Sequence, residues 1–190
     1  LYIYGYLVPT GAGASLYALD LDTGLWSVVS TDGLPLTENC LVYDETGDRL
    51  ISFGGQTDGP DEDLMPVADV IFINPDNGAQ QFYELPGAVG PRHNLSCAYD
   101  RSRNAVFVLG GAVVNVPYDD TANEYHNDLW LFDLETLEWT NLIPDTTGGE
   151  IITDVFGELA FEADPSGPNF GRNRGFMMHD AALDRLVVLG

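Results

Sequence analysis

The sequence predicts an all-β fold assembled from repeated four-stranded antiparallel units. Three observations carry this expectation. A unit of short strand, polar turn and glycine-ended apolar strand recurs along the chain. Downstream of the copies, turn residues of the Asn-Gly kind separate further alternating apolar runs, the strongest short-range hairpin signal. Apart from the stretch from Thr153 to Glu162, no window sustains the apolar period of a helix.

The copies read in order as follows. Leu1 to Gly5 (LYIYG) is the tail of a first copy, with Tyr6 where a second glycine would stand. Leu41 to Gly55 (LVYDETGDRLISFGG) is echoed by Cys97 to Gly111 (CAYDRSRNAVFVLGG) and again by Met177 to Gly190 (MMHDAALDRLVVLG). The polar turns fall at Asp44 to Asp48, Asp100 to Asn104 and Asp180 to Asp184. After each glycine comes another hairpin: Ser15 to Val29 turning at Asp22-Thr-Gly24, Asp69 to Leu85 turning at Asp76-Asn-Gly78, and Asp128 to Leu142 turning at Glu135-Thr136. The unit is therefore four antiparallel strands, with glycine spacings of 49, 56 and 80 residues.

Composition bounds the partners. The chain has 190 residues, 45% of them hydrophobic, enough for a packed core and too many for a disordered tail. Thirty acidic residues face seven Arg and no Lys, a net charge of −23. Such a surface repels phosphate backbones and anionic lipid heads, which excludes nucleic acid as a partner class. The longest apolar run, Ala105 to Val114, is broken by Gly110-Gly111 and falls far short of the ~20 residues of a membrane helix. No membrane insertion is expected. Nothing at the start reads as a signal peptide, and Leu1 is no initiator, so a processed or truncated start is expected. Two cysteines, Cys40 and Cys97, are too few for a disulfide framework or a thiolate metal site. In repeat register Cys40 matches Ser96 and Cys97 matches Leu41. The two thiols are thus expected on opposite faces of equivalent strands, and no bridge between them is expected.

These residues resemble the kelch repeat, a four-stranded blade of a β-propeller. Kelch blades carry a Gly-Gly after the second strand and an aromatic pair in the third and fourth. Gly54-Gly55 and Gly110-Gly111 match the first feature, and Trp26 and Trp139 stand at the fourth-strand position. Seven residues before each Trp stand Leu19 and Phe132, and Gln80 replaces Trp in the middle copy, with Phe82 as its expected substitute. The resemblance implies an all-β, kelch-type β-propeller, three periods being present of an expected six or seven. It divides the chain into the end of a first blade (1–29), a second (36–85), a third (92–142), a long insertion (143–168) and the start of a fourth (169–190). Gly54, Gly55, Gly110, Gly111, Trp26 and Trp139 are read as structural: glycine admits positive φ and close passage, and a Trp is more often packed than exposed as a platform.

Strand parity then sorts the loops. In an antiparallel meander, first-to-second and third-to-fourth turns share one end; second-to-third loops and inter-unit connections share the other. Every long insertion is of the second kind: Gln56 to Ala68, Ala112 to Asn127 and Ile143 to Pro168. They hold four, three and six acidic residues and no Arg, whereas Arg49, Arg101, Arg103 and Arg185 lie in turns at the opposite end. Long loops on a rigid scaffold are where binding is usually placed. Asp58, Asp61, Glu62, Asp63, Asp119, Asp120, Glu124, Asp154 and Glu158, interleaved with Tyr118, Tyr125 and Phe156, are the candidate partner-binding residues. A protein partner with a basic surface would suit them. The competing reading is a solvated acidic surface, as in a salt-adapted or secreted protein, and the two stay open at this point.

Chemistry is sparse. Asp61, Glu62 and Asp63 are the candidate ligands for a hard cation, but the spaced D-x-D-x-D-G ladder is absent. His93, His126 and His179 have no second His or Cys at metal spacing and are read first as hydrogen-bonded structural imidazoles. Arg92, Arg172 and Arg174, just before first strands, are expected to pair with nearby carboxylates at the surface. Asn94-Leu95-Ser96 is a lone glycosylation sequon. Some kelch propellers are enzymes, including copper-dependent galactose oxidase and sugar epimerases. No Tyr, Cys and His set for copper can be assigned here, and no catalytic residue or cofactor is expected. The reading is a non-catalytic interaction or scaffold module. The alternatives are a carbohydrate-acting or redox kelch enzyme with its site in further blades, and a structural part of an extracellular or salt-adapted assembly.

Overall fold

A computed structural model describes residues 1–5, 14–34, 36–58, 64–67, 69–83, 89–113, 124–145 and 176–189. They are all-β, with antiparallel strands and no helix among them. The Thr153 to Glu162 stretch lies outside the described residues.

Strands β1 (Tyr2–Gly5), β2 (Ala14–Leu19) and β3 (Trp26–Gly33) form the first sheet in that order. The second sheet is β4 (Cys40–Asp44), β5 (Arg49–Phe53), β8 (Val70–Ile73) and β9 (Gln80–Tyr83). Between β5 and β8 a separate hairpin pairs β6 (Gln56–Asp58) with β7 (Leu64–Pro66). The third sheet is β10 (Ser96–Asp100), β11 (Ala105–Val113), β12 (Glu124–Asp133) and β13 (Trp139–Ile143). A fourth pairs β14 (Phe176–Asp180) with β15 (Arg185–Leu189).

The short turns explain themselves locally. Asp44 Oδ1 accepts the amides of Thr46 and Gly47, Asp100 Oδ1 those of Ser102 and Arg103, and Asp180 Oδ1 those of Ala182 and Leu183. Asp20, Asn74 and Asp133 close the third-to-fourth turns in the same way. A short Asx side chain satisfies the amides two and three residues on, which is why it starts every one of these hairpin turns.

The Gly-Gly pairs have a steric reason. Gly55 and Gly111 sit at φ 99° and 94°. A Cβ on Gly55 would lie 2.8 Å from the Thr37 carbonyl oxygen, and one on Gly111 2.9 Å from that of His93. Only glycine takes this backbone against this neighbour without displacement. Past the glycines the chain continues as paired strand: β6–β7 in one case, the outer halves of β11 and β12 in the other. Sequence alone reads these stretches as loop, because the glycines interrupt the apolar alternation that marks a strand.

Successive sheets stack face to face through three apolar layers. Tyr4, Leu16, Leu36, Leu50, Ile71 and Ile73 join the first sheet to the second. Ile51, Phe53, Val70, Phe72, Cys97, Val106, Val108 and Phe132 join the second to the third. Ala98, Phe107 and Met177, with Leu186 and Val188, join the third to the fourth. First strands contact one another along the stack, β10 touching both β4 and β14.

This stacking corrects two sequence expectations. Cys40 and Cys97 are disulfide-bonded, their Cα atoms 6.0 Å apart. Their placement on opposite faces of equivalent strands is what a bridge between stacked sheets requires, since the forward face of one sheet meets the backward face of the next. Phe82 is 49% exposed and does not replace Trp. Gln80 itself fills that place with polar contacts: its Oε1 accepts the Leu34 amide and its Nε2 donates to Tyr4 Oη. Trp139 packs on Phe53 and Phe132, with ring centroids 5.8 and 4.7 Å away. Trp26, at the matching place in the first sheet, is half exposed.

Candidate functional site

One end of the stack gathers the roots of all three insertions. Gln56 pairs with Thr37, Ala112 with His93, and Ile143 with Leu129, so the β6–β7 arm, the β11–β12 arm and the segment after β13 leave from the same edge. Just below them lies a polar layer that crosses the boundary between second and third sheets. Glu38, at φ 58°, directs its carboxylate across that boundary. Its Oε2 accepts from Gln56 Nε2 at 3.0 Å and Asn94 Nδ2 at 2.8 Å, and lies 2.6 Å from His93 Nδ1. Asn94 Nδ2 also lies 2.9 Å from His93 Nδ1, so the three side chains close on one another. Asn94 takes the same left-handed backbone as Glu38, at φ 55°. Both residues stand two places before a first strand.

Arg92 lies beside this layer, with its side chain 8% exposed. Its guanidinium donates to both carboxylate oxygens of Asp128 (2.5 and 3.0 Å) and to the Gly110 carbonyl. Trp130 Nε1 donates to Asp128 Oδ2 at 2.6 Å. The pair is buried, so the small energies of surface pairs expected for Arg92 do not apply to it. On the β12 arm, His126 Nδ1 lies 2.5 Å from Asp145 Oδ2. Here too an imidazole is oriented by a carboxylate.

Nδ1 of His93 and of His126 is engaged, while Nε2 of each, like Gln56 Oε1, is buried with no hydrogen-bond partner. A carboxylate–imidazole pair is the scaffold of a general base, but these nitrogens are closed to a substrate proton while the surface stays as it is. His179 is different. Its Nε2 lies 3.2 Å from Asp184 Oδ1 at the opposite end, where Asp100, His179 and Asp184 hold ligand atoms within 4.8 Å of one another. Arg103 donates to both Asp100 and Asp184 there. It fills with a guanidinium the space a cation would need. Hydrogen bonds from Arg103 and then from His179 hold the Asp184 carboxyl well below the usual range.

The expected partner-binding residues fall unevenly. Asp58 ends β6, Glu124 opens β12, and Tyr125 follows it in β12, half-buried. Asp61, Glu62, Asp63, Tyr118, Asp119, Asp120, Asp154, Phe156 and Glu158 lie outside the described residues, as do Arg172 and Arg174. Asn94 of the sequon is 7% exposed, with its amide held by Glu38, so it is closed to a glycosyl transfer in the folded chain. Sequence reading did not single out Glu38, Gln56 or Asp128, and it placed Asp145 only among the carboxylates of the third insertion. The usable signal was positional: in repeat register Glu38 falls on Asn94 and Thr37 on His93, a row of polar residues just ahead of the first strands.

No family model matches the chain, and no curated protein does. Among solved structures the fold is similar to the one titled "Structure of YjhT", with a TM-score of 0.51 and 16% sequence identity over 70% of this chain and 45% of that one. The chain thus spans less than half the length of that neighbour. At this identity the likeness bears on the fold alone. No helix among the described residues is long and apolar enough to cross a membrane.

Proposed function

We propose that the stacked sheets are kelch-type propeller blades, and that the chain is a non-catalytic module binding a basic protein partner through its insertion end. The observation that supports this most is the uneven placement of Arg between the two ends of the strands. Arg49, Arg101, Arg103 and Arg185 are at the turn end, each spent on a carboxylate there. The acidic insertions spring from the other end, above Glu38, Asp128 and Asp145, where the described cation, Arg92, is buried. Arg thus offsets part of the acidic charge at the turn end, whereas none stands in the insertions, and that asymmetry favours one orientation of a basic partner and speeds its encounter.

Crosslinking with a carboxylate-reactive reagent, read by mass spectrometry on native material, tests this. Links from Asp58, Asp61, Glu62, Asp63, Asp119, Asp120, Glu124, Asp154 and Glu158 into one other protein, weakened by salt, are expected. Links confined to the chain itself would sink the reading and leave the solvated-surface alternative.

A further inference from the structure

Cys40 and Cys97 are the two cysteines of the chain, and both are bonded. Their Cα separation of 6.0 Å is the ordinary spacing of a bridge, so the two strands need no displacement to be joined. The bond joins the openings of β4 and β10, the first strands of consecutive sheets. Glu38 lies two residues before Cys40, and His93 and Asn94 three to four before Cys97, so the bridge sits directly under the polar layer that crosses the same boundary. Both cysteines also line an open groove of about 480 Å³ that runs along β4, β10 and β14. Cys40 is half-buried and Cys97 buried at 7% exposure. The bridge is therefore structural in position yet reachable from solvent on one side.

We propose that Cys40–Cys97 is a redox-formed clasp that keeps the insertion ends of the second and third sheets in register, and that the chain matures in an oxidising compartment. The clasp forms when the two thiols release two protons and pass two electrons to the disulfide of a thiol oxidoreductase. An Sγ–Sγ bond is made, and the oxidoreductase leaves as a dithiol. An external dithiol entering by the groove runs the same exchange in reverse. Bridges of this kind persist where no reducing thiol pool opposes them, outside the cytosol. The 57-residue separation makes the clasp a constraint on a long loop, the case in which a cross-link restricts the unfolded chain most. The proposal does not depend on the partner-binding reading.

The test uses the full chain isolated from its native source without reductant and denatured in iodoacetamide. No label is expected before reduction and two labels after it. Reductant is expected to lower the melting temperature by roughly 10 °C. It should also raise amide exchange at Thr37 to Cys40 and Arg92 to Cys97, while leaving the Asp44 to Asp48 and Asp100 to Asn104 turns unchanged. The double variant C40A/C97A should melt at the same temperature with and without reductant. Two labels before reduction would overturn the proposal, as would a wild-type melting temperature indifferent to reductant. Both readouts use the wild-type chain, so they stand even if the variant fails to fold.

Discussion

The two ends of the stacked sheets are built on different rules. At the turn end the same device recurs six times, an Asp or Asn closing a hairpin on the amides two and three residues ahead. Arg49 and Arg185 return to Asp44 and Asp180 by matching bonds of 2.9 and 3.0 Å. At the insertion end the backbone repeats, in the Gly-Gly turns and the Thr37–Gln56 and His93–Ala112 bridges, but the charged contacts do not: among the described residues Arg92–Asp128, Glu38 with His93, and His126–Asp145 each occur once. A contact present in every copy serves the copy. A contact made once serves the particular assembly, and that is where a specific surface would be founded. The difference can be broken from either side.

The largest effect is expected at Arg92. Replacing it by Met leaves Asp128 buried with its carboxylate uncompensated and the Gly110 carbonyl without its donor. Removing one partner of a buried pair costs about 3–5 kcal/mol. Urea unfolding of Arg92→Met should show a loss of that size, and a double variant that also replaces Asp128 by Leu should recover much of it. A loss under about 1 kcal/mol would mean that the pair is solvated and the contrast between the ends false.

Gly111→Ala comes next. At φ 94° with the His93 carbonyl beside it, an alanine forces a strained backbone, at a cost of about 1–3 kcal/mol. Gly24→Ala, at φ 70° but with open space around it, should cost less. Equal costs would show that backbone strain, not the close approach of the strands, governs both sites.

The fold was legible because its signals are local and repeated: Asx residues at turns, glycines at fixed spacing, alternating apolar strands. Relations between copies were not. The two cysteines were read within their own strands, where their faces oppose, and the bridge follows only once one sheet is laid on the next. Gln80 reads in sequence as a missing aromatic, and its replacement is a pair of hydrogen bonds to Tyr4 and Leu34, 76 and 46 residues away. Glu38 has no motif around it. Its role comes from a left-handed backbone and from partners on another sheet, and the one mark these leave in the sequence is its repeat register with Asn94.

Acid should dismantle the turn end in a definite direction. Burial pushes the Asp44 carboxyl up, but hydrogen bonds from the Gly47 amide and Arg49 outweigh it, leaving it below its ordinary value of 3.8. The Asp100 carboxyl is also pushed up by burial and drawn lower by Arg103 and Ser102. At Asp20 and Asp133 the turn amides lower it directly. Depressed folded values mean that the unfolded chain binds protons first as pH falls. The stabilisation is thus complete above about pH 5 and drains away through and below 3.8. Asp44→Asn keeps the acceptor for the turn amides and removes the titration, so its thermal stability should fall less steeply between pH 5 and pH 3 than that of the wild type. Parallel curves would place the acid sensitivity elsewhere.

The smallest effect is expected where the turn end is most exposed. Arg101 donates to Glu45 across neighbouring sheets at 2.9 Å, but the two side chains are 76% and 52% exposed. Water and salt screen such a pair, and ordering two long side chains offsets most of its attraction, so Arg101→Ala should cost about 0–1 kcal/mol. The chain's charge sharpens the expectation. Removing one of seven positive charges from a molecule at −23 adds a small, delocalised repulsion that salt suppresses. The loss should therefore shrink when unfolding is repeated at high ionic strength, whereas the loss at Arg92 should not. A salt-insensitive loss at Arg101 would mean that the contact works by packing rather than by charge, and the two ends would differ less than their geometry implies.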